Sequence, residues 1–203
     1  MIKAVILDLG GVYFTDGKEI ASKKIAEKYH LDAKNVAEIM TTSSDVGKKY
    51  RRGEITSEEF WVAAKKMLLI DAPTDELNTI WIESYEPIEK TIDIVKALRD
   101  KGIKLYYLSD NIRERVEHLQ EKYNFKEHFK GGIFSHEAGI TKLDGPRIFR
   151  LVLDETGEDN EEVIYVDDKK EYVDTAKSLR MQGIHFQNPK QFEKELKKLG
   201  IKF

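Results

Sequence analysis

Carboxyl side chains follow two short apolar runs of this sequence, each at the point where the run ends. Asp8 comes after residues 2–7, and Asp167 with Asp168 comes after residues 163–166. A single aspartate in such a place is most often a turn or cap residue. Several carboxylates that meet in one crevice repel one another, however, unless a cation joins them. Since hard carboxylate oxygens without nearby His or Cys favour magnesium, this pattern predicts a magnesium site.

A hydroxyl group and two glycines accompany these carboxylates. Ser109 follows another apolar run at residues 103–108, and Gly10 and Gly11 come directly after Asp8-Leu9. Glycines let a backbone or a phosphate approach closely, and free amides in such a turn form a nest for an anion. The predicted site is therefore an anionic metal site with a hydroxyl and a hole of phosphate size beside it.

The elements that must position these groups alternate between strands and helices. The short apolar runs are typical of strands buried on both faces, and helical patterns separate them. Buried strands joined by helical crossovers predict an α/β fold, with a parallel sheet covered by helices on both faces. In such sheets ligands bind beyond the carboxyl ends of the strands, where the candidate residues lie. The predicted strands are residues 2–7, 103–108, 132–135, 163–166 and 184–186.

The segment from residue 14 to residue 87 departs from this alternation. It contains helical patterns but no convincing strand, and one helix begins with a capping box at Thr56 and Glu59. A stretch of this length is too long for a loop. We therefore expect two units: a sheet core formed by residues 1–13 and 88–203, and an inserted all-helical cap formed by residues 14–87 above the site.

The composition excludes several classes of protein. The 203 residues carry 34 Lys and Arg against 37 Asp and Glu, so the basic excess of a general nucleic-acid binder is absent. The absence of cysteine excludes disulfide frameworks, thiolate zinc sites and cysteine nucleophiles. No apolar run approaches the roughly 20 residues of a membrane span, and the first residues indicate a strand rather than a signal peptide. We expect a soluble cytoplasmic protein, and its Lys- and Glu-rich composition is typical of thermophiles as well as of mesophiles with solvated helix faces.

Four segments resemble, in order, the motifs of the haloacid dehalogenase (HAD) superfamily. The resemblance extends over nearly the whole chain, and it implies a Rossmann-like core with a helical cap of the first type. The Asp-Leu-Gly form of the first motif is similar to that of a branch that includes sugar-phosphate phosphatases and the amino-terminal phosphatase domains of epoxide hydrolases. The four segments are Ile-Leu-Asp-Leu-Gly-Gly-Val at residues 6–12, Tyr-Leu-Ser-Asp-Asn at 107–111, Gly-Ile-Thr-Lys-Leu-Asp at 139–144 and Tyr-Val-Asp-Asp at 165–168.

The resemblance implies a role for each matching residue. Asp8 would be the catalytic nucleophile, assisted by Ser109 and Lys142, which stabilise the phosphoryl oxygens. The phosphate would be bound by Ser109, Asp110, Lys142 and Gly11. Magnesium would be held by Asp8, the Gly10 carbonyl, Asp167 and Asp168.

Two departures from the family pattern bear on this site. Phosphatases of the superfamily usually carry a second aspartate two residues after the nucleophile, as general acid and base, but here this position is Gly10. Asp16, Asp110 or a water molecule organised by the metal are the candidates to replace it. In the third motif Leu143 stands in place of the usual proline, and the following Gly-Pro adds one residue.

These observations predict a magnesium-dependent phosphatase that hydrolyses a small phosphorylated metabolite through an aspartyl-phosphate intermediate. We expect a monomer or homodimer with neither nucleic acid nor membrane as partner. Three alternatives stay open: a metal-independent 2-haloacid dehalogenase, a weakly active phosphate- or partner-binding protein, and a phosphotransferase that delivers the aspartyl-phosphate to an acceptor other than water. The pair of Asp167 and Asp168 argues against the dehalogenase, because that reaction needs no metal.

The helical insertion is expected to select the substrate. A basic cluster in it could attract phosphorylated compounds, although basic runs are more often solvated helix faces. Aromatic residues at helical spacing are more typical of a helical core than of a pocket. The basic cluster is Lys48, Lys49, Arg51 and Arg52, and the aromatic residues are Trp61, Trp81 and Tyr85.

Overall fold

The computed structural model describes residues 1–201 and contains a central five-stranded sheet. Its strands are β1 (Ala4–Leu7), β2 (Lys104–Ser109), β3 (Gly131–Phe134), β4 (Val163–Asp167) and β5 (Gln182–His185). All neighbouring strands are parallel, in the order β3-β2-β1-β4-β5. The predicted α/β fold is therefore confirmed. Each predicted strand is present, and its ends lie within two residues of the predicted ones.

Helices connect these strands and cover the sheet. In chain order they are α1 (Gly17–Tyr29), α2 (Ala33–Met40), α3 (Asp45–Arg51), α4 (Ser57–Leu68), α5 (Thr74–Glu83), α6 (Glu89–Asp100), α7 (Arg113–Tyr123), α8 (Ser135–Ala138), α9 (Arg147–Thr156), α10 (Lys170–Ser178) and α11 (Pro189–Lys198). This order, with helical crossovers between parallel strands, makes the fold Rossmann-like.

Both faces of the sheet are apolar because side chains alternate along each buried strand. Val5 and Leu7 of β1 pack in one cluster together with residues of α6, α7 and α11. Ala4 and Ile6 point the other way and pack with residues of α9 and α10. The two clusters hold the sheet rigidly between helices, so the strand ends are fixed relative to one another.

The helices α1 to α5 lie between β1 and α6 in the chain, and we call residues 14–87 the helical insertion. Their side chains form a third apolar cluster, in which Trp61 and Trp81 are fully buried. An antiparallel bridge between Phe14 and Pro87 joins the two ends of the insertion. Phe14 and Tyr85 pack with the sheet cluster rather than with the insertion's own cluster.

The register of the central strands determines which residues meet at the carboxyl edge. Leu7 of β1 pairs with Val166 of β4, so the next residues, Asp8 and Asp167, emerge side by side. On the other side β1 pairs with β2, whose last residue is Ser109. Among residues 1–201, no helix is both long and apolar enough to cross a membrane.

Candidate active site

The carboxylate of Asp8 lies at the floor of the site, directly after β1. Its Oδ1 atom accepts a hydrogen bond from the Leu9 amide at 2.8 Å and forms an ion pair with Lys142 Nζ at 3.0 Å. Its Oδ2 atom has no hydrogen-bond partner within residues 1–201. Burial raises the pKa of Asp8 to about 7, although the nearby charge of Lys142 opposes the rise. Protein contacts thus hold the Oδ1 atom in place, whereas the Oδ2 atom is available to react or to bind a ligand.

Lys142 reaches the site despite the altered third motif. It begins a short 3-10 turn (Lys142–Asp144) that is closed by a reciprocal capping box between Thr141 and Asp144. Its backbone amide donates to the Asp110 carboxylate at 3.0 Å, which orients the side chain toward the sheet edge. Burial opposes the charge of Lys142, but the carboxylates of Asp167 and Asp8 outweigh it and raise the pKa well above its ordinary value. Lys142 is therefore a permanent cation.

Three carboxylates converge beside this lysine. Asp8, Asp167 and Asp168 each offer an oxygen, and these oxygens lie within 4.8 Å of one another. When all three carboxylates are ionised, the single ammonium of Lys142 leaves two formal negative charges uncompensated, and burial raises the pKa of Asp168. An all-oxygen donor set with this excess charge fits magnesium. The Gly10 carbonyl accepts no hydrogen bond within residues 1–201, so it too is free to act as a ligand.

The two aspartates of the fourth motif differ in their surroundings. Asp167 is fully buried, and its oxygens accept hydrogen bonds from Lys142 Nζ at 2.7 Å, Tyr165 Oη at 2.5 Å and the Lys169 amide at 2.8 Å. Asp168 lines the open side of the site instead. Asp168 is therefore the more accessible ligand, and Asp167 is held mainly by its protein partners.

Ser109 and Asp110 lie at the end of β2, on the other side of Asp8. Ser109 is almost completely buried and lines the site. The Asp110 carboxylate faces the Lys142 amide, and burial raises its pKa while the charge of Lys142 opposes the rise. Asp110 thus holds the turn that carries Lys142, a positioning role in addition to the expected contact with phosphate.

The two glycines after Asp8-Leu9 do not behave alike. The Gly11 amide donates to the Phe14 carbonyl at 2.7 Å, so it is not the free anion donor that the sequence led us to expect. Gly11 is instead required by the turn, because its φ of +85° is one that side chains disfavour. A Cβ atom at this residue would also lie only 2.9 Å from the Asp168 carboxyl group. Gly10 lines the site and lies against the ring of Tyr85, which sequence spacing assigned to a helical core.

These groups open into a cleft of about 350 Å³ between the sheet edge and the helical insertion. The insertion contributes Lys18, Lys34, Thr41, Thr42, Ser43 and Arg51 to its wall. The basic cluster is divided by this arrangement. Arg51 is buried and lines the cleft, whereas Arg52 forms a two-pronged ion pair with Asp144. Asp16 also lines the cleft, where Lys18 pairs with it at 2.9 Å.

The fold and the site define a Rossmann-like α/β enzyme with an acidic centre at the carboxyl edge of its sheet. A family model described as haloacid dehalogenase-like hydrolase matches residues 2–180, and the chain belongs to this family. It is therefore a hydrolase of the HAD superfamily, as the four motifs predict.

Comparison with individual proteins agrees with this membership. An uncharacterised protein of Dictyostelium discoideum is 29% identical over 154 residues, which are 74% of this chain and 66% of that protein. A sesquiterpene phosphatase of Aspergillus oryzae is 24% identical over 186 residues, covering 90% of this chain and 89% of the relative. The chain spans less than two thirds of the length of the Dictyostelium relative, and 36% of a drimenol cyclase of Aspergillus calidoustus that it also matches.

Solved structures share the same fold. A HAD-like family hydrolase of Porphyromonas gingivalis superposes with a TM-score of 0.77 at 20% identity, over the full length of both chains. A HAD family enzyme of Bacteroides thetaiotaomicron, in complex with magnesium and inorganic phosphate, gives a TM-score of 0.74 at 21% identity. That match covers 92% of this chain and 95% of the other.

Proposed function

We propose that this hydrolase is a magnesium-dependent phosphatase that acts on a small organic phosphate monoester. The observation that carries the proposal is the charge of the site, where three carboxylates converge within 4.8 Å around one buried ammonium group. Two negative charges left uncompensated at one point favour a divalent cation. A phosphate ester, which brings further negative charge, needs such a cation in order to approach a carboxylate nucleophile.

Asp8, Asp168 and the Gly10 carbonyl would hold the magnesium ion, with Asp167 beside them. When bound, the ion would act as a Lewis acid that offsets the charge of the phosphoryl group and the nucleophile. Two similar proteins support the assignment: one relative is a sesquiterpene phosphatase, and one structural neighbour was solved in complex with magnesium and inorganic phosphate.

The chain's own residues supply the covalent chemistry. The free Oδ2 atom of Asp8 attacks phosphorus, a phosphorus–oxygen bond forms, and the bond from phosphorus to the leaving oxygen breaks. Water then attacks phosphorus in the aspartyl-phosphate, which releases inorganic phosphate and regenerates the Asp8 carboxylate. Lys142 and Ser109 stabilise the negative charge on the phosphoryl oxygens during both steps.

The helical insertion acts as a cap in this proposal. Its helices contribute much of the cleft wall opposite the catalytic edge of the sheet, so they meet the leaving group rather than the phosphoryl group. Substrate selection is therefore assigned to the insertion and catalysis to the strand ends.

A panel of phosphate esters tests the proposal. It includes an aryl phosphate and an acyl phosphate, assayed with magnesium, with EDTA and with the Asp8→Asn variant. We expect phosphate release that requires magnesium and disappears in the variant. Halide release from 2-chloropropionate in EDTA would instead identify a dehalogenase. Binding of inorganic phosphate without turnover of any ester would identify a binding protein.

A further inference from the structure

Arg51 is a buried cation in the wall of the cleft. It ends α3 of the helical insertion, and only 4% of its surface is exposed. Its Nη1 atom donates to the Asp110 carbonyl at 3.2 Å, and its Nη2 atom donates to the Met40 carbonyl at 3.4 Å. Both partners are neutral carbonyl groups. The side chain therefore spans from the insertion to the end of β2 at the boundary of the cleft.

Within residues 1–201, Arg51 forms no ion pair with a carboxylate. The Asp110 carboxylate is turned toward the Lys142 amide instead. A guanidinium group carries five N–H donors in a planar fork, and two carbonyl partners leave the others unused. Burying a charge is costly unless it is paired. An unpaired and incompletely bonded arginine at a cleft wall points to an anion that arrives with the ligand.

The other cations of the cleft either have a carboxylate partner or are partly exposed. Lys34 pairs with Glu38 at 4.0 Å, and the partly exposed Lys169 lies over the ring of Tyr172. Lys142 is paired with Asp8 and Asp167, and Lys18 is paired with Asp16. The neighbouring Arg52 is paired with Asp144 outside the cleft. Among the described residues of the cleft, Arg51 is thus the cation that is buried without a carboxylate ion pair. Besides its two carbonyl partners, its guanidinium lies over the ring of Trp81, whose centroid is 5.8 Å from Cζ.

The cleft wall beside Arg51 is polar. Thr41, Thr42 and Ser43 follow Met40 in the chain and line the same cleft as Arg51, so hydroxyl groups contribute to its wall. The apolar contribution comes mainly from Ala37 and the rings of Tyr85 and Tyr172. A leaving group with charged and hydroxyl substituents matches this wall, whereas a long hydrocarbon chain does not.

From these observations we infer that the substrate carries a second anionic group, a carboxylate or a phosphate, which Arg51 binds while the scissile phosphate lies at Asp8. The inference rests on the proposed phosphatase function and names its substrate class. The planar fork of arginine matches both kinds of anion, and its pairing would compensate the buried charge. Arg51 is in this view a specificity residue: it binds the leaving-group side of the substrate.

Matched pairs of phosphate esters test this inference in the wild-type enzyme. Glycerol 2-phosphate and 2-phosphoglycerate differ only in that one CH2OH group is replaced by a carboxylate. Glucose 6-phosphate and glucose 1,6-bisphosphate differ by a second phosphate. We expect KM to be about tenfold lower for the anionic member of at least one pair, which is the typical size of a charge-assisted contact. The pair that responds identifies the anion.

The Arg51→Gln variant then assigns the preference to this side chain. KM for the ester with the second anionic group should rise about tenfold. KM for its counterpart, which carries only the scissile phosphate, should change less than about threefold. Lys49→Gln removes a positive charge from an exposed position of the same helix, and this variant should keep the wild-type ratio. If Arg51→Gln does not fold, Arg51→Lys keeps the charge without the fork and should show a partial loss.

The outcomes distinguish a failure of the proposed phosphatase function from a failure of the second anion site. If no ester releases phosphate with magnesium, the proposed phosphatase function fails. If esters are hydrolysed but neither pair shows a preference for its anionic member, the second anion site is wrong. The site is also wrong if the preference persists in Arg51→Gln. Because the wild-type ratios need no variant, they can overturn the second anion site even if every substitution at residue 51 destabilises the fold.

Discussion

The ammonium group of Lys142 lies 3.0 Å from Asp8 and 2.7 Å from Asp167, and all three side chains are buried. One cation therefore stabilises two carboxylates that the sheet register places side by side. The same arrangement serves folding and chemistry: it lowers the repulsion within the site, and it directs a positive charge at the place where a phosphoryl group would bind.

The first prediction concerns this lysine. Lys142→Met keeps most of the length of the side chain but leaves two buried carboxylates without their cation. In EDTA the variant should lose about 3–5 kcal/mol of unfolding free energy, measured by urea denaturation. Adding Asp167→Asn to the variant should recover part of the loss, because one of the unpaired charges is removed. A Lys142→Met protein as stable as wild type would show that the ion pairs do not form.

The second prediction concerns the nucleophile. Asp8→Asn keeps the shape of the side chain but cannot attack phosphorus, so ester hydrolysis should fall to background. Because burial raises the pKa of Asp8 to about 7, its charge is costly in the fold. The variant should therefore be at least as stable as wild type in thermal unfolding in EDTA. A rate above about one tenth of wild type, a barrier increase of under about 1.4 kcal/mol, would contradict the assignment.

The third prediction concerns the metal. Magnesium that binds only the folded site should raise the thermal midpoint by mass action, and the rise should grow with concentration. Asp168→Asn removes an accessible ligand and should lose most of the rise. Asp154→Asn changes an exposed aspartate of α9 and should respond like wild type. Equal shifts in Asp168→Asn and wild type would place the magnesium elsewhere.

Much of the fold was predictable from the sequence because its signals are local. The three central strands are short, mostly apolar runs that end at or just before a polar residue, and Asp8 and Ser109 could be assigned to strand ends on that basis alone. Parallel pairing then brings those ends together without further information. The three-dimensional contacts of Lys142 were harder to predict from the sequence. They depend on the capping box at Asp144 and on the Asp110 carboxylate, which follows a strand distant in the chain.

The placement of Arg51 and Tyr85 could not be predicted, because it depends on how the insertion packs against the sheet. Arg51 and Arg52 are adjacent in one basic run, and nothing in their spacing distinguishes them. The contact that does so is tertiary: the Ser135 hydroxyl donates to the Arg51 carbonyl at 2.6 Å and fixes the end of α3. Tyr85 is likewise placed against Gly10 by the return of the chain to the sheet.

The fourth prediction concerns the missing acid at residue 10. Without a carboxyl group there, a poor leaving group must depart without a well-placed proton donor, which costs roughly 10²- to 10⁴-fold in rate. Asp110 is engaged with the Lys142 amide and Asp16 with Lys18, so neither is free to donate. Wild-type rates should therefore depend steeply on the pKa of the leaving group, with aryl and acyl phosphates faster than alkyl phosphates.

Gly10→Asp should flatten this dependence by raising the turnover of alkyl phosphates more than that of aryl phosphates. The backbone permits the substitution, because Gly10, unlike Gly11, does not have a positive φ. A Cβ atom at residue 10 would lie 3.3 Å from Tyr85 Cε1, so the ring has to move by only a few tenths of an ångström. Gly10→Ala fills the same space without a carboxyl group and should keep the steep wild-type dependence. A flat profile in the wild-type enzyme would mean that another group already donates the proton, and Asp16→Asn and Asp110→Asn would then identify which one.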